Sequence, residues 1–299
     1  MSEDRRGWIG GSDVSSIFGV NPWKTALELF EEKTAPEFIP PEVTPEREKL
    51  FNRGRKLEPL VLEMLQEEHG ITPFKRNTRY SDYECPWMKA EVDFEVVDSE
   101  KMVTINGEVK TVSPFAASDW GTEQTDEIPL YYCLQVMHGL MVTGRTEAIV
   151  AALIGADDLR LYHVSFDEEL AAEIRKRVVQ FWTGHVIPRV PPPVQTVGDI
   201  HRSLYKYGGF SVEMDAELSV SLNGLRDVKK AEKELKEMKE KYEMEVKRSL
   251  LVKAEILGLT DAPKKFTILD ETGKSTATLT YQHRGAYSVK ETDYWVLRS

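Results

Sequence analysis

The start of the chain alternates short apolar runs with turn residues, and this pattern predicts two short helices. Ser12 and Asp13 are good N-cap residues, so a first helix is predicted from there to about Gly19. Thr25 followed by Glu28 has the spacing of a capping box and predicts a second helix. A proline-rich stretch follows and predicts a loop.

From about residue 46 the apolar positions recur with the period of a helix. The residues on this predicted face are Leu57, Leu60, Val61, Met64 and Leu65. Pro59 lies among them and is expected to kink the helix or restart it, because proline lacks the backbone N–H that a helix uses.

Residues 74–111 have the pattern of strands. The runs Trp87–Val97 and Met102–Val112 flank a short turn and predict a hairpin. The elements predicted after the hairpin are a helix over 126–143, strands over 146–154 and 160–165, and an amphipathic helix over 167–184.

The last third of the chain has a different pattern, and the prolines at 191–193 predict a boundary before it. We therefore predict a first domain over residues 1–190 and a C-terminal extension over 191–299. Residues 216–257 have apolar positions at helical spacing on a surface of Lys and Glu, which predicts a long helical hairpin or coiled coil. Residues 264–298 return to short β-like runs and predict a small β element.

Composition narrows the class of protein. The chain has 299 residues, of which 41% are hydrophobic and 30% charged, as in folded globular proteins. Two cysteines exclude a four-cysteine zinc or iron–sulfur site, and there is no run of 18 apolar residues. Without a secretory-type apolar stretch at the N-terminus, and with only two cysteines, we expect a soluble protein of a reducing cytoplasm.

The charge distribution limits how the chain could contact nucleic acid. The net charge is −11, which argues against a broadly basic nucleic-acid-binding surface. Residues 1–190 contain 33 acidic and 21 basic residues, whereas the remainder is nearly balanced. Any contact between the first domain and nucleic acid is therefore expected to be local, in a channel or through a metal site.

The residues that most strongly indicate chemistry are Asp93, Glu108 and Lys110 on the predicted hairpin. Strand side chains alternate between faces, so Glu108 and Lys110 project on one side and Asp93 can face them. Converging carboxylates suit Mg²⁺ or Mn²⁺, and a lysine beside the metal can orient water and offset charge on a phosphate. The alternative is a solvated strand face, which is the commoner role of a Glu-x-Lys triplet.

Five sequence blocks give these residues a context. They are RRGWIGGSDVSSIFGVNPWKTALELFEEK at 5–33, RGRKLEP at 53–59, the strand with Asp93, GEVKT at 107–111 and IPLYYCLQVMHGLMVTG at 128–144. Together they resemble the YqaJ-like viral recombinase family, a group of lambda-type exonucleases in the PD-(D/E)XK nuclease superfamily. The resemblance implies an α/β (α+β) fold, with a restriction-endonuclease-like core whose central mixed sheet is flanked by helices.

The resemblance also implies roles for single residues. It assigns metal binding to Glu58, Asp93, Glu108 and the Val109 carbonyl, water positioning to Lys110, and a contact within the site to Gln135. Without the resemblance, Glu58 could be a first-turn helix acid and Gln135 an ordinary surface residue, and His138 is expected to serve packing or the surface.

One part of the chain departs from the family pattern. The family usually has proline before the aspartate and often a small residue after it, whereas this chain has Val92 and Phe94. Glu91 and Glu95 lie on the same strand face as Asp93, so both stay open as alternatives to it.

A second predicted site is a phosphate grip near Ser12. Backbone N–H groups at the start of the first helix attract an anion, and Arg5 can bind phosphate through two hydrogen bonds. The resemblance implies that this grip holds a 5′-terminal phosphate, with Arg53 as a further backbone contact. The alternative is plain N-capping by Ser12, and Asp13 is expected to turn outward or to cap.

Trp23 and Lys24 follow a turn and are candidates for contact with DNA. An aromatic side chain there could stack on terminal bases or wedge them apart. The alternative is a hydrophobic staple that packs Trp23 on the core.

The resemblance implies a Mg²⁺- or Mn²⁺-dependent deoxyribonuclease with two ions per site. It would digest duplex ends 5′→3′, leave 3′ single-stranded tails, act with a single-strand annealing protein in phage recombination, and form a homo-oligomer, with a trimer as one option. Two other functions stay open: an endonuclease or junction resolvase of the same superfamily, and a non-catalytic protein that binds DNA ends or a partner.

Overall fold

The computed structural model describes residues 4–38, 44–204, 207, 211–258 and 265–280. The chain forms two compact units, residues 1–206 and residues 207–299. The sequence-based boundary after residue 190 lies earlier. The first unit extends further because the Thr25 hydroxyl donates a hydrogen bond to the Asp199 carboxylate at 2.7 Å.

Within its described residues, the first unit contains six α-helices, a 3-10 helix at Pro114–Asp119, a π-helix at Trp182–Val186 and five strands. The helices are α1 Gly11–Ile17, α2 Ala26–Thr34, α3 Pro45–His69, α4 Leu130–Thr143, α5 Glu168–Phe181 and α6 Val197–Leu204. The strands are β1 Lys75–Ser81, β2 Lys89–Asp98, β3 Val103–Val112, β4 Glu147–Ile154 and β5 Asp158–Ser165. The predicted hairpin is thus β2 and β3. Helix α6 is an element that the sequence pattern did not predict.

The strands form one mixed sheet in the order β1-β2-β3-β4-β5. Strands β3 and β4 run parallel, and the other neighbours are antiparallel. A parallel pair needs a crossover connection, and α4 lies within that connection. The predicted central mixed sheet flanked by helices is therefore confirmed.

Each face of the sheet has its own apolar layer. Helices α1, α4 and α5 cover the face that carries Val150 and Ala152, while α3 covers the face that carries Ala151. Strand β4 is buried along nearly its whole length because both faces are covered.

Helix α3 differs from its prediction in two respects. It continues through Pro59 as one helix, so it does not restart there. Val61 and Leu65 face the core as predicted, but Leu60 is 43% exposed, and Leu62 is buried in its place. The loop predicted after α2 falls partly on residues 39–43, which lie outside the described residues.

The second unit contains a long helix and a β-hairpin. Residues Ala216–Ile256 form one uninterrupted helix, α7. This segment is therefore a single long helix and not a helical hairpin. Strands β6 Lys265–Leu269 and β7 Ser275–Thr280 pair antiparallel, as expected for a small β element. The part of that prediction after residue 280 lies outside the described residues.

Within the described ranges, every helix is too short or too polar to cross a lipid bilayer.

Candidate active site

Asp93 lies in β2 where the sheet loses its regular pairing. Strand β2 pairs with β1 at Val92 and at Phe94, the two neighbours of Asp93. On its other edge, the pairing of β2 with β3 ends where Phe94 lies opposite Gly107. Beyond that pair, the Asp93 Oδ2 accepts a hydrogen bond from the Val109 backbone N–H at 2.8 Å. The Asp93 carboxylate is thus the hydrogen-bond acceptor for a backbone N–H of β3 at the point where the two strands diverge.

The residues that depart from the family pattern are accommodated by burial. Phe94 is completely buried against α3, and a Cβ at Gly107 would lie 2.4 Å from the Phe94 ring. Gly107 therefore makes room for the large residue that follows Asp93. Val92 is also buried. The two departures thus leave the Asp93 carboxylate beside β3.

Glu108, Lys110 and Gln135 form a hydrogen-bonded triangle. Lys110 Nζ donates to Glu108 Oε1 at 2.6 Å and to Gln135 Oε1 at 3.2 Å. Gln135 Nε2 donates to the same Glu108 oxygen at 2.6 Å. Lys110 Nζ also lies 4.7 Å from the centre of the Tyr132 ring. Helix α4 therefore supplies both an amide and an aromatic ring to the side chains of β3.

Burial and neighbouring charges shift the protonation of this cluster. Burial, followed by repulsion from Glu108, raises the pKa of Asp93 to about 7. Burial by itself lowers the pKa of Lys110, but attraction to Glu108 and Asp93 outweighs burial and holds that pKa above its ordinary value. Lys110 is therefore a charged donor at neutral pH, whereas Asp93 carries a carboxylate whose negative charge is poorly stabilised by the protein.

Glu58 of α3 lies close enough to Asp93 to feel its charge. Burial and the Asp93 charge raise the pKa of Glu58, and a hydrogen bond with Asn77 opposes that rise. Asn77 lies in β1 with a left-handed backbone, φ 50°, which few residues other than glycine adopt. Sequence reasoning missed Asn77. The signal available was an asparagine inside a strand, where this residue is depleted.

The two alternatives to Asp93 are engaged elsewhere. Glu95 is 1% exposed and forms an ion pair with Arg145 at 2.6 Å. Glu91 forms an ion pair with Arg79. Of these three acidic residues of β2, Asp93 is therefore the one best placed to act with Glu108.

The donor set at this site consists of hard oxygen atoms. Asp93 and Glu108 supply two carboxylates, and the Val109 carbonyl belongs to the same stretch of β3. In the part of the chain that the structure describes, no three His, Cys, Asp or Glu side chains are arranged so that they could hold a metal ion together. The protein thus presents a carboxylate pair, with Glu58 nearby. Excess buried negative charge and hard oxygen donors fit a divalent cation such as Mg²⁺ or Mn²⁺.

A pocket of about 60 Å³ lies between the predicted phosphate grip and Glu108. The residues of the grip that line it are Arg5, Gly10, Gly11 and Ser12, and Glu108 and Gln135 line it as well. Gly11 permits close contact with α4, because a Cβ there would lie 3.0 Å from the Gln135 carbonyl oxygen. The grip and Glu108 therefore share one concavity.

Asp13 caps helix α1 from inside the protein. Its carboxylate accepts the Gly10 N–H at 3.0 Å and pairs with Lys33 Nζ at 3.1 Å. Capping was one of the two orientations expected for it. Arg5 lies 3.4 Å from Asp13 and 3.5 Å from the Ser12 hydroxyl. Arg5 and Ser12 are thus brought together at the pocket, with the Asp13 charge offset by two cations.

The three remaining predicted DNA contacts are all at least partly accessible. Trp23 is 55% exposed and meets the Tyr131 ring edge-on at 5.2 Å, so it is not a buried staple. Tyr131 in turn contacts the ring of Tyr132, which lies beside Lys110. Lys24 forms an ion pair with Glu32, and Arg53 is an exposed residue of α3.

The fold and this cluster define the class of protein. A mixed sheet that carries an aspartate and a Glu-x-Lys triplet where two strands diverge is the arrangement that the resemblance predicts. Residues 2–146, just under half of the chain, match the model of the YqaJ-like viral recombinase domain.

A curated relative and several solved structures are also similar. YqaJ of Bacillus subtilis strain 168, an uncharacterized protein, is 31% identical over 186 residues, which are 62% of this chain and 55% of that protein. The chain thus spans about half the length of this relative.

Two solved exonucleases align more weakly. The alkaline exonuclease LHK-Exo from Laribacter hongkongensis aligns with a TM-score of 0.46 and 15% identity, over 68% of this chain and 95% of that one. A phage-related exonuclease from Haemophilus somnus 129PT aligns at 0.41 and 14%, over 59% and 92%. Similarities of this size establish neither an activity nor residue roles for this chain.

Proposed function

We propose that this protein is a metal-dependent deoxyribonuclease that digests duplex DNA from its ends in the 5′→3′ direction and leaves 3′ single-stranded tails. The observation that carries the proposal is the convergence of Asp93, Glu108, Lys110 and Gln135 where β2 and β3 diverge. A buried carboxylate pair beside a protonated lysine is suited to phosphodiester hydrolysis. The match of residues 2–146 to a viral recombinase domain supports a role in phage-type recombination.

The residues that would hold the cation are Asp93, Glu108 and the Val109 carbonyl, with Glu58 as a further ligand. When bound, one or two Mg²⁺ or Mn²⁺ ions would polarise the scissile phosphate and make a water molecule more acidic. Glu108 is fixed in one orientation because Lys110 and Gln135 both hydrogen-bond to its Oε1. Asp93 is fixed by the Val109 N–H.

Lys110 would act as a charged donor. Its ammonium group, held protonated by two carboxylates, has no lone pair with which to accept a proton from water. It can donate to the attacking water or to a phosphate oxygen, where charge builds up during hydrolysis. Tyr132 and Gln135 restrict the movement of this side chain.

The pocket that joins Arg5 and Ser12 to Glu108 would hold the 5′-terminal phosphate. A 5′ end gripped there places a phosphodiester near the carboxylates, which would set the direction of digestion. Trp23, Lys24 and Arg53 would contact DNA outside this pocket. A homo-oligomer, such as a trimeric ring, would confine the duplex to a channel, and a single-strand annealing protein would receive the 3′ tail.

The experiment that tests this function compares linear and circular duplex DNA with Mg²⁺, using wild type and Lys110→Ala. Wild type should shorten only linear DNA, and should release 5′ label before 3′ label. Lys110→Ala should lose cleavage yet still bind DNA ends. Cleavage of circular DNA would support the endonuclease or resolvase alternative.

A second comparison separates catalysis from end binding. Arg5→Ala should slow digestion of 5′-phosphorylated ends more than digestion of 5′-hydroxyl ends. An equal loss on both substrates would contradict the phosphate grip. Wild-type protein that binds ends without cleaving them, and takes up neither Mg²⁺ nor Mn²⁺ in calorimetry, would support the non-catalytic alternative.

A further inference from the structure

Helix α7 carries an apolar stripe with the spacing of a coiled coil. The stripe recurs every three and four residues over four heptads, at Val228, Ala231, Leu235, Met238, Tyr242, Glu245, Ser249, Val252 and Ile256. Its six large apolar side chains are between 47% and 79% exposed. A stripe of this length is typical of a helix that is covered by another helix.

We propose that this stripe binds the same stripe of a second copy of the chain, with the two helices antiparallel. The observation is the order of charges at the positions that flank the stripe between residues 227 and 248. The acidic ones come first, at Asp227, Glu232 and Glu234, and the basic ones follow, at Lys239, Lys241 and Arg248. In an antiparallel pair of identical helices, the acidic half of each lies beside the basic half of the other.

One register satisfies both the charges and the packing between Val228 and Glu245. In this register Ser249, Val252 and Ile256 lie beyond the overlap, opposite Gly224, Ser221 and Glu217. With Leu235 of one copy facing Met238 of the other, Tyr242 faces Ala231, so a large side chain meets a small one. The charged pairs that this register forms are Glu234 with Lys241, Asp227 with Arg248 and Glu232 with Lys239. By symmetry each pair occurs twice, so six opposite-charge pairs flank the stripe.

The polar interruption of the stripe also fits this register. Glu245 occupies a stripe position and would face Val228 of the other copy. Beside that layer, Val246 would face Leu225, so apolar contact continues on the flank. A parallel pair would instead place Glu245 against Glu245 and Asp227 beside Glu232, which brings like charges together. The sequence of α7 therefore favours the antiparallel arrangement.

The test uses charge exchange in the full chain and measures its molar mass by light scattering over a range of concentrations. Wild type should have an even multiple of the 34.1 kDa chain mass, which is six chains if the first unit forms the trimeric ring considered above. Glu234→Lys places like charges at two pairs and should weaken this association about tenfold. Adding Lys241→Glu should restore it, since these two positions meet in the antiparallel register.

Two controls make the result specific. Glu234→Lys with Lys239→Glu should not restore association, although it would do so in a parallel pair, where residue 234 lies beside 239. Lys236→Glu with Glu240→Lys exchanges the same residue types on the outer face of α7 and should change nothing. A wild-type mass of one or three chains would overturn the proposal. So would a mass unaffected by Glu234→Lys, or rescue by Lys239→Glu in place of Lys241→Glu.

Discussion

Gln135 Nε2 lies 2.6 Å from Glu108 Oε1, so an amide of α4 holds the carboxylate of β3. This contact joins two elements that are adjacent in space because α4 lies in the crossover between the parallel strands β3 and β4. Gln135 also accepts a hydrogen bond from Lys110 and therefore keeps the lysine and the glutamate in one geometry.

Gln135→Leu should lower the cleavage rate about 10–100-fold with little effect on DNA-end binding, because residues that orient a metal ligand act through that ligand. The measurement is single-turnover cleavage beside an equilibrium binding assay. Gln135→Glu is the matched variant, since it has nearly the same shape but repels Glu108. A parallel loss of rate and DNA affinity in Gln135→Leu would assign Gln135 to substrate binding.

Asp93→Asn should stabilise the protein in the absence of divalent ions at pH 8. Asp93 has a folded-state pKa of about 7, above the ordinary value near 4, so folding stability is lost as pH rises through that interval. The loss at pH 8 amounts to about 3–4 kcal/mol. The amide still accepts the Val109 N–H but carries no charge.

Urea unfolding in EDTA at pH 8 and pH 4 measures this effect. Asp93→Asn should be more stable than wild type at pH 8 but not at pH 4, because at pH 4 residue 93 is uncharged in both folded proteins. Millimolar Mg²⁺ should then raise the stability of wild type and leave the variant unchanged. A variant less stable than wild type at pH 8 would show that the Asp93 charge is already balanced within the protein.

Much of this cluster could be predicted because the determining signals are local in sequence. Alternation along one strand places Glu108 and Lys110 on the same face, and the Asp98 turn closes the hairpin that brings Asp93 beside them. The resemblance to a known family added Glu58 and Gln135, which lie on separate helices.

Other features depend on contacts that no local pattern encodes. Asn77 adopts a left-handed backbone inside β1 because it meets Glu58 of α3, which is distant from it in sequence. Helix α6 is short, and Asp199 anchors it to Thr25, which is 174 residues away. The exposure of Leu60 follows from the direction in which α3 crosses the sheet, which helical periodicity alone does not determine.

Asn77→Gly and Asn77→Val should separate the backbone and side-chain roles of Asn77. Valine is strained at φ 50°, so Asn77→Val should lower the free energy of unfolding by about 1–2 kcal/mol. Glycine adopts this backbone freely and should cost less, but it removes the hydrogen bond to Glu58. Both variants should need more Mg²⁺ for half-maximal cleavage if Asn77 holds Glu58 in place.

The measurements are urea unfolding and a Mg²⁺ titration of cleavage. Thr78→Ser is a suitable control, because it changes the next residue of the same strand but keeps the hydroxyl that hydrogen-bonds to Glu95 and leaves the left-handed position untouched. A Mg²⁺ dependence that changes only in Asn77→Val would mean that the backbone alone matters.

His138 should make the protein sensitive to mild acid. Its ring is completely buried, with Nε2 3.0 Å from the Lys89 carbonyl oxygen, and burial lowers its pKa to about 4. The unfolded chain binds this proton near pH 6.5, so between pH 6.5 and 4 the unfolded state takes up more protons and stability falls as pH falls. The expected loss from this residue is about 3 kcal/mol. Buried carboxylates such as Glu95, whose pKa is lowered, add their own loss at lower pH.

Comparison with His138→Gln isolates the histidine. Glutamine can still donate to the Lys89 carbonyl but does not titrate, so the variant should lose less stability than wild type between pH 7 and pH 4.5. Urea unfolding at both pH values gives the difference, and the carboxylates common to both proteins cancel. Equal losses in the two proteins would mean that His138 is already free to ionise in the folded state.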